Sequence, residues 1–157
     1  MSMSARRLQR TGFGGSVDGG AGPQAGATLY LTPTTGSYAN GATVTVQIRI
    51  NSGVEEVNTY QANVSYPTAQ LQMVSVVTTG SPFGTVIQNV DEGGLIKLSA
   101  GILGGGTSGD QLAGTVTFTA IGTGQPSLNF AVGSGVARRS DSTDICQNKV
   151  GATYTIS

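Results

Sequence analysis

The chain has 157 residues, with apolar residues at 38%, charged residues at only 10%, and eight Lys plus Arg against eight Asp plus Glu. That length suits one domain with a single ordinary core, and the balanced charge leaves no net field to draw in nucleic acid, an anionic membrane surface or an acidic substrate. Histidine is absent and Cys146 is the lone cysteine, which removes Ser-His-Asp and Cys-His catalysis, an intrachain disulfide, and a zinc site built from cysteine or histidine.

In chain order, Met1 to Gly26 is rich in glycine behind Arg6, Arg7 and Arg10. It reads as a flexible leader or linker, and it lacks the apolar stretch of about 7–15 residues that a secretory signal carries. No apolar run approaches the ~20 residues that span a bilayer. From Ala27 to Ser157 the pattern changes to short alternating runs punctuated by Gly, Pro, Asn, Asp and Ser, which predicts one domain of nine strands joined by turns.

The first strand is predicted over Ala27 to Pro33, followed by a turn at Ser37 to Gly41. In the second, Thr43 to Asn51, Val44, Val46, Ile48 and Ile50 face the core and alternate with polar residues. The third, Val57 to Tyr66, places Tyr60, Ala62, Val64 and Tyr66 inward and Thr59, Gln61, Asn63 and Ser65 outward, a flat and uncharged outer row. Leu71 to Thr79, Thr85 to Val90 and Leu95 to Leu103 are the next three, with Asp91 to Gly94 as a hairpin connection between the last two. Gln111 to Ile121, Ser127 to Val132 and Ala152 to Ser157 complete the set. No segment carries helical spacing over a useful length, so the fold class is all-β, a sandwich or barrel.

The candidate chemical motifs are thin. Gly104 to Gly106, with Ser108 and Gly109, lacks the lysine and the following helix of a phosphate-binding loop and reads as a turn. Asp141 and Asp144, set among Ser140, Ser142 and Thr143, make an oxygen-rich loop. Two carboxylates are few for calcium, so a solvated turn is the favoured reading and weak calcium binding there the alternative. Glu55 and Glu56, like Asp91 and Glu92, are sequence neighbours whose side chains splay apart, unlike the paired carboxylates of a glycoside hydrolase. Tryptophan is absent. Tyr60 and Tyr66 fall in register with the core, which leaves Tyr38 and Tyr30 as a weak platform for stacking sugars. Cys146 has no histidine to activate it and reads as a packing residue, and Arg138-Arg139 reads as a solvated pair, with contact to an acidic partner as the alternative.

The runs VNTYQANVSYP, LQMVSVVTTG, GLIKLSAGI, QLAGTVTFTAIGTG and GATYTIS, in that order and spacing, resemble a cohesin domain over Ala27 to Ser157. The resemblance implies a nine-stranded antiparallel β-sandwich of jelly-roll topology, shared with related carbohydrate-binding modules. It implies a non-catalytic module, secreted or on the cell surface, that grips a dockerin, a small helical partner carrying calcium. Such pairs assemble polysaccharide-degrading enzymes or surface complexes. By position the gripping face comprises Thr59, Gln61, Asn63 and Ser65 of the third strand, Gln88 of the fifth, Lys97 and Ser99 of the sixth, and Ser127 and Asn129 of the eighth. Gln61 stands where the family commonly carries an acidic recognition residue, with Thr59 two before it, which places the chain nearer the cohesin-like domains of bacteria without a cellulosome. A carbohydrate-binding module and a structural repeat of a larger surface protein are the rival readings.

Overall fold

The computed structural model describes residues 26–157, so the expected leader, Met1 to Gly26, lies outside the described residues except for its last glycine. Every regular element among the described residues is a strand, and no helix is long and apolar enough to cross a membrane. Two sheets face each other. The first contains β1 (Ala27–Thr32), β3 (Thr43–Asn51), β5 (Leu71–Val77), β8 (Asp110–Ala120) and β11 (Cys146–Val150), in the order β11-β1-β3-β8-β5. The second contains β2 (Thr35–Tyr38), β4 (Val57–Ser65), β6 (Thr85–Asp91), β7 (Leu95–Gly101), β9 (Ser127–Phe130), β10 (Gly135–Arg138) and β12 (Ala152–Ile156). Its order is β2-β12-β9-β4-β7-β6, and β10 lies against the N-terminal half of β4 while β9 lies against its C-terminal end.

The nine expected strands are all present, as β1, β3 to β9 and β12. Three further short strands, β2, β10 and β11, bring the count to twelve. The sheets are mixed rather than wholly antiparallel, because β11 runs parallel to β1 and β2 runs parallel to β12. These additions have a common physical cause. Each is four or five residues long and its residues, TGSY, GVAR and CQNKV, carry no sustained apolar-polar alternation, and β2 and β11 are held by partners distant in the chain. Thr35 pairs with Thr153, and Ala27 pairs with Cys146.

The core lies between the sheets and follows the alternation closely. Val44, Val46, Ile48 and Ile50 of β3, Val116, Phe118 and Ala120 of β8, and Tyr60, Ala62 and Val64 of β4 are buried. Phe83, in the connection between β5 and β6, enters the same core and packs edge-on against Tyr60 at 5.0 Å between ring centroids. Such aromatic pairs favour this T-shaped geometry because the edge of one ring meets the electron-rich face of the other. The phenol of Tyr60 donates to the carbonyl of Ala113 at 3.0 Å, which satisfies its polar tip inside the sandwich.

Candidate functional site

β4 is the long central strand of the second sheet, and its alternation sets one face outward. Gln61 lies opposite Ser99 of β7, which lies opposite Gln88 of β6. Asn63 lies opposite Lys97, Ser65 opposite Asn129 of β9, and Ser127 opposite Thr153 of β12. All nine sequence-predicted residues therefore share one sheet and one continuous tract. Side-chain hydrogen bonds tie the tract together. Gln61 donates to Asn63 at 2.6 Å and to Gln88 at 3.5 Å, Ser65 donates to the Asn129 carbonyl at 3.2 Å, and the hydroxyls of Ser127 and Thr153 meet at 3.1 Å.

The nine residues are not equally accessible. Ser127 and Asn129 are exposed, and Thr59, Gln61, Ser65, Gln88 and Lys97 are half-buried. Asn63 and Ser99 were expected on the open face but are buried, at 8% and 5% exposure. The turn at 131–134 covers Asn63: its amide donates to the Val132 carbonyl at 3.0 Å, its backbone N–H donates to Ser134 Oγ at 3.0 Å, and its carbonyl accepts from Ala131 N–H at 2.7 Å. Asn63 thus positions the turn and Gln61 rather than offering itself to a ligand. The one lysine of the tract, Lys97, is paired with Glu92 at 3.2 Å.

Several residues on this face escaped the sequence reading. Ile87 sits in a bulge between Val86 and Gln88 and is 65% exposed. β10 extends the face, with Gly135 opposite Gln61 and Ala137 opposite Thr59, and Asp144 bridges Ala137 one strand further out. These residues, with Gln61, Ser99, Ser142 and Gly133, line a shallow cavity of about 370 Å³. Ile87 is brought up by the bulge in β6, and only the pairing of β10 to β4 brings the others to this face, because GVAR alone carries no pattern.

The arginines, expected as a solvated pair, lie at the surface, and each meets acidic partners there. Arg138 meets Asp141 at 2.8 Å and Glu55 at 3.7 Å, while Arg139 meets Glu56 at 3.1 Å. Glu55 and Glu56 do splay, each toward its own arginine, and the cluster pins the end of β10 to the loop before β4. In the oxygen-rich loop, the Arg138 guanidinium holds the Asp141 carboxyl well below the usual carboxylate range, with the Thr143 N–H adding to the effect. Asp144 Oδ1 accepts from Val136 N–H at 3.1 Å and Cys146 N–H at 3.0 Å. Among the described residues, no group of three or more Asp, Glu or Cys side chains is placed to hold a metal ion. Cys146 is half-buried and packs on the core, and burial pushes its thiol up.

The tyrosines make no stacking row on this face. Tyr60, Tyr66 and Tyr154 are buried, Tyr38 packs edge-on against Tyr154 at 5.6 Å, and Tyr30 lies on the first sheet with its hydroxyl donating to Asp110 at 2.6 Å.

Comparison with known proteins agrees with this architecture. A solution structure of a cohesin from Clostridium acetobutylicum superposes with a TM-score of 0.71 at 17% identity, covering 85% of this chain and 92% of the other. A non-cellulosomal cohesin from the archaeon Archaeoglobus fulgidus gives a TM-score of 0.67 at 20% identity, with the same two coverages, 85% and 92%. A cohesin from an Acetivibrio cellulolyticus scaffoldin, solved in complex with a dockerin, gives 0.69 at 16% identity and covers 84% of this chain and 99% of its own. No curated protein sequence matches. Residues 29–154 match the cohesin domain family. A sandwich of this topology and a match over that length lead to one conclusion: the chain belongs to the cohesin domain family.

Proposed function

We propose that this cohesin domain is a non-catalytic binding module that docks a dockerin through the outer face of the second sheet. Thr59, Gln61, Ser65, Gln88, Lys97, Ser127 and Asn129 are the contact residues, and the buried Asn63 and Ser99 support them. The observation that carries the reading is the continuity across β6, β7, β4 and β9 of this polar tract, whose one charge, Lys97, is paired with Glu92, and which is cross-linked by its own side chains. A pre-ordered surface loses little side-chain entropy on association, so shape and hydrogen bonding can supply affinity without a strong charge pattern. Similar cohesins are solved in complex with dockerins, which supports a partner of that kind. In this reading calcium belongs to the dockerin, and the module works outside the cell or on its surface.

The test is capture by the immobilised full chain from the secreted and surface fractions of the source organism, with calcium present or chelated. Recovery of a dockerin-bearing protein only when calcium is present is the expected result. Glycan recovered in its place would overturn the reading in favour of a sugar-binding module.

A further inference from the structure

The outer face of the second sheet is not level. At one height across the strands the outward positions are Ile87 and Gln88 on β6, Ser99 on β7, Gln61 on β4 and Gly135 on β10. At the next they are Gly101, Thr59, Ala137 and finally Asp144. Short side chains at Ser99, Thr59, Gly135 and Ala137, with the Gln61 amide drawn to Asn63 and Gln88, leave a trough of about 370 Å³ between Ile87 and Asp144. The Asp144 carboxylate folds back over Gly135 on β10, three strand spacings of about 4.8 Å from β6, or about 14 Å in all. An α-helix with its side chains is about 10–12 Å across, so the trough accommodates one helix lying along the strands.

Its two walls differ chemically. Ile87 is apolar and 65% exposed. Asp144 uses Oδ1 to hold two backbone N–H groups, while Oδ2 receives no hydrogen bond among the described residues. The nearby Arg138 is engaged by Asp141 and Glu55 and does not neutralise it. The carboxylate lies where it does because residue 135 is glycine: a Cβ there would stand 2.8 Å from Asp144 Oδ2.

Resting on the docking reading above, we propose that Ile87 and Asp144 are the specificity-determining walls of this trough. The partner it fits is a helix that carries an aliphatic side chain on one flank and a lysine or arginine on the other. The aliphatic group covers Ile87, and the cation completes the open side of the Asp144 carboxylate, its alkyl stem lying over Ala137.

The experiment is a titration of the full chain with two alanine-rich helical peptides, followed through its backbone amide resonances. One peptide carries leucine and arginine on opposite flanks, and the other replaces that arginine with glutamate. Saturable shifts at Thr59, Gly135, Ala137 and Asp144 are expected, with the arginine peptide bound about fivefold more tightly, the scale of one exposed ion pair. Asp144→Asn keeps an oxygen for the two backbone N–H groups and is expected to erase the preference. Equal binding of both peptides, or a preference that survives Asp144→Asn, overturns the inference. A calcium-loaded dockerin that binds wild type, Asp144→Asn and Ile87→Ser equally overturns the trough while docking stands. A chain that prefers the arginine peptide yet binds no dockerin upholds the trough and removes the docking reading.

Discussion

Tyrosine hydroxyls set the finest scale at which this sandwich is specified. Tyr60→Phe keeps the ring against Phe83 but leaves the Ala113 carbonyl without its 3.0 Å donor deep in the core. An unsatisfied buried acceptor costs about 1–2 kcal/mol, so calorimetry is expected to show a melting temperature lower by about 4 °C. The pH response follows from the same residues. Burial, reinforced by the hydrogen bond to Asp91, pushes the Tyr66 phenol from 10.0 up to about 12, and burial raises Tyr60 and Tyr154 as well. The unfolded chain loses these protons from pH 10.0 upward while the native state still holds them. Stability contributed by the raised groups is therefore full below pH 10.0 and is lost as pH rises through about 12. Denaturant midpoints measured from pH 8 to 11, beside phenolate absorbance, check this expectation: the midpoint falls only above about pH 10, and Tyr66→Phe makes the fall shallower.

The strand is the scale at which sequence and structure agree best, and the backbone contacts between strands show where they part. A side chain at Gly151 would fall on the Leu128 carbonyl oxygen and press on Asn129 Oδ1 at 3.0 Å, at the point where β12 pairs with β9. Gly151→Ala is expected to lower stability by about 1–3 kcal/mol, as overpacking does, with a lower thermal midpoint by circular dichroism as the readout. β3 and β4 were legible because strict alternation, over nine residues in β3 and over the seven from Thr59 to Ser65 in β4, marks both an inward and an outward face. β10 was not, since Gly135–Arg138 shows a pattern only when laid beside Thr59 and Gln61. Gln61 and Lys97 were placed on the outer face by their polarity, and they lie there. The same polarity set Asn63 outward without revealing that the turn at 131–134 closes over it. Polarity reports which way a side chain points. Whether another segment covers it depends on contacts from residues about seventy positions away in the chain.

At the scale of the whole molecule the two sheets offer opposite faces, and only one of them can meet a given helix, because a sandwich about 10 Å thick separates them. The outer face of the first sheet carries a threonine pair, Thr45 opposite Thr117, and a polar knot in which Tyr30 and Arg49 both contact Asp110. The knot engages the Asp110 Oδ1 acceptor internally, while the exposed Thr45 gives a control position equal in strand context to Gln61 but on the wrong side. Gln61→Arg places a long cation in the centre of the proposed docking tract and removes the bonds to Asn63 and Gln88. A central contact of this kind is worth about 2 kcal/mol or more, so dockerin affinity by calorimetry is expected to fall at least about thirtyfold. Thr45→Arg adds the same charge and bulk to the first sheet and is expected to leave affinity within about twofold, since rim or remote substitutions seldom exceed that. The reverse pattern, with Thr45→Arg disabling binding and Gln61→Arg sparing it, would move the docking surface to the other sheet and take the Asp144 trough out of the interface with it.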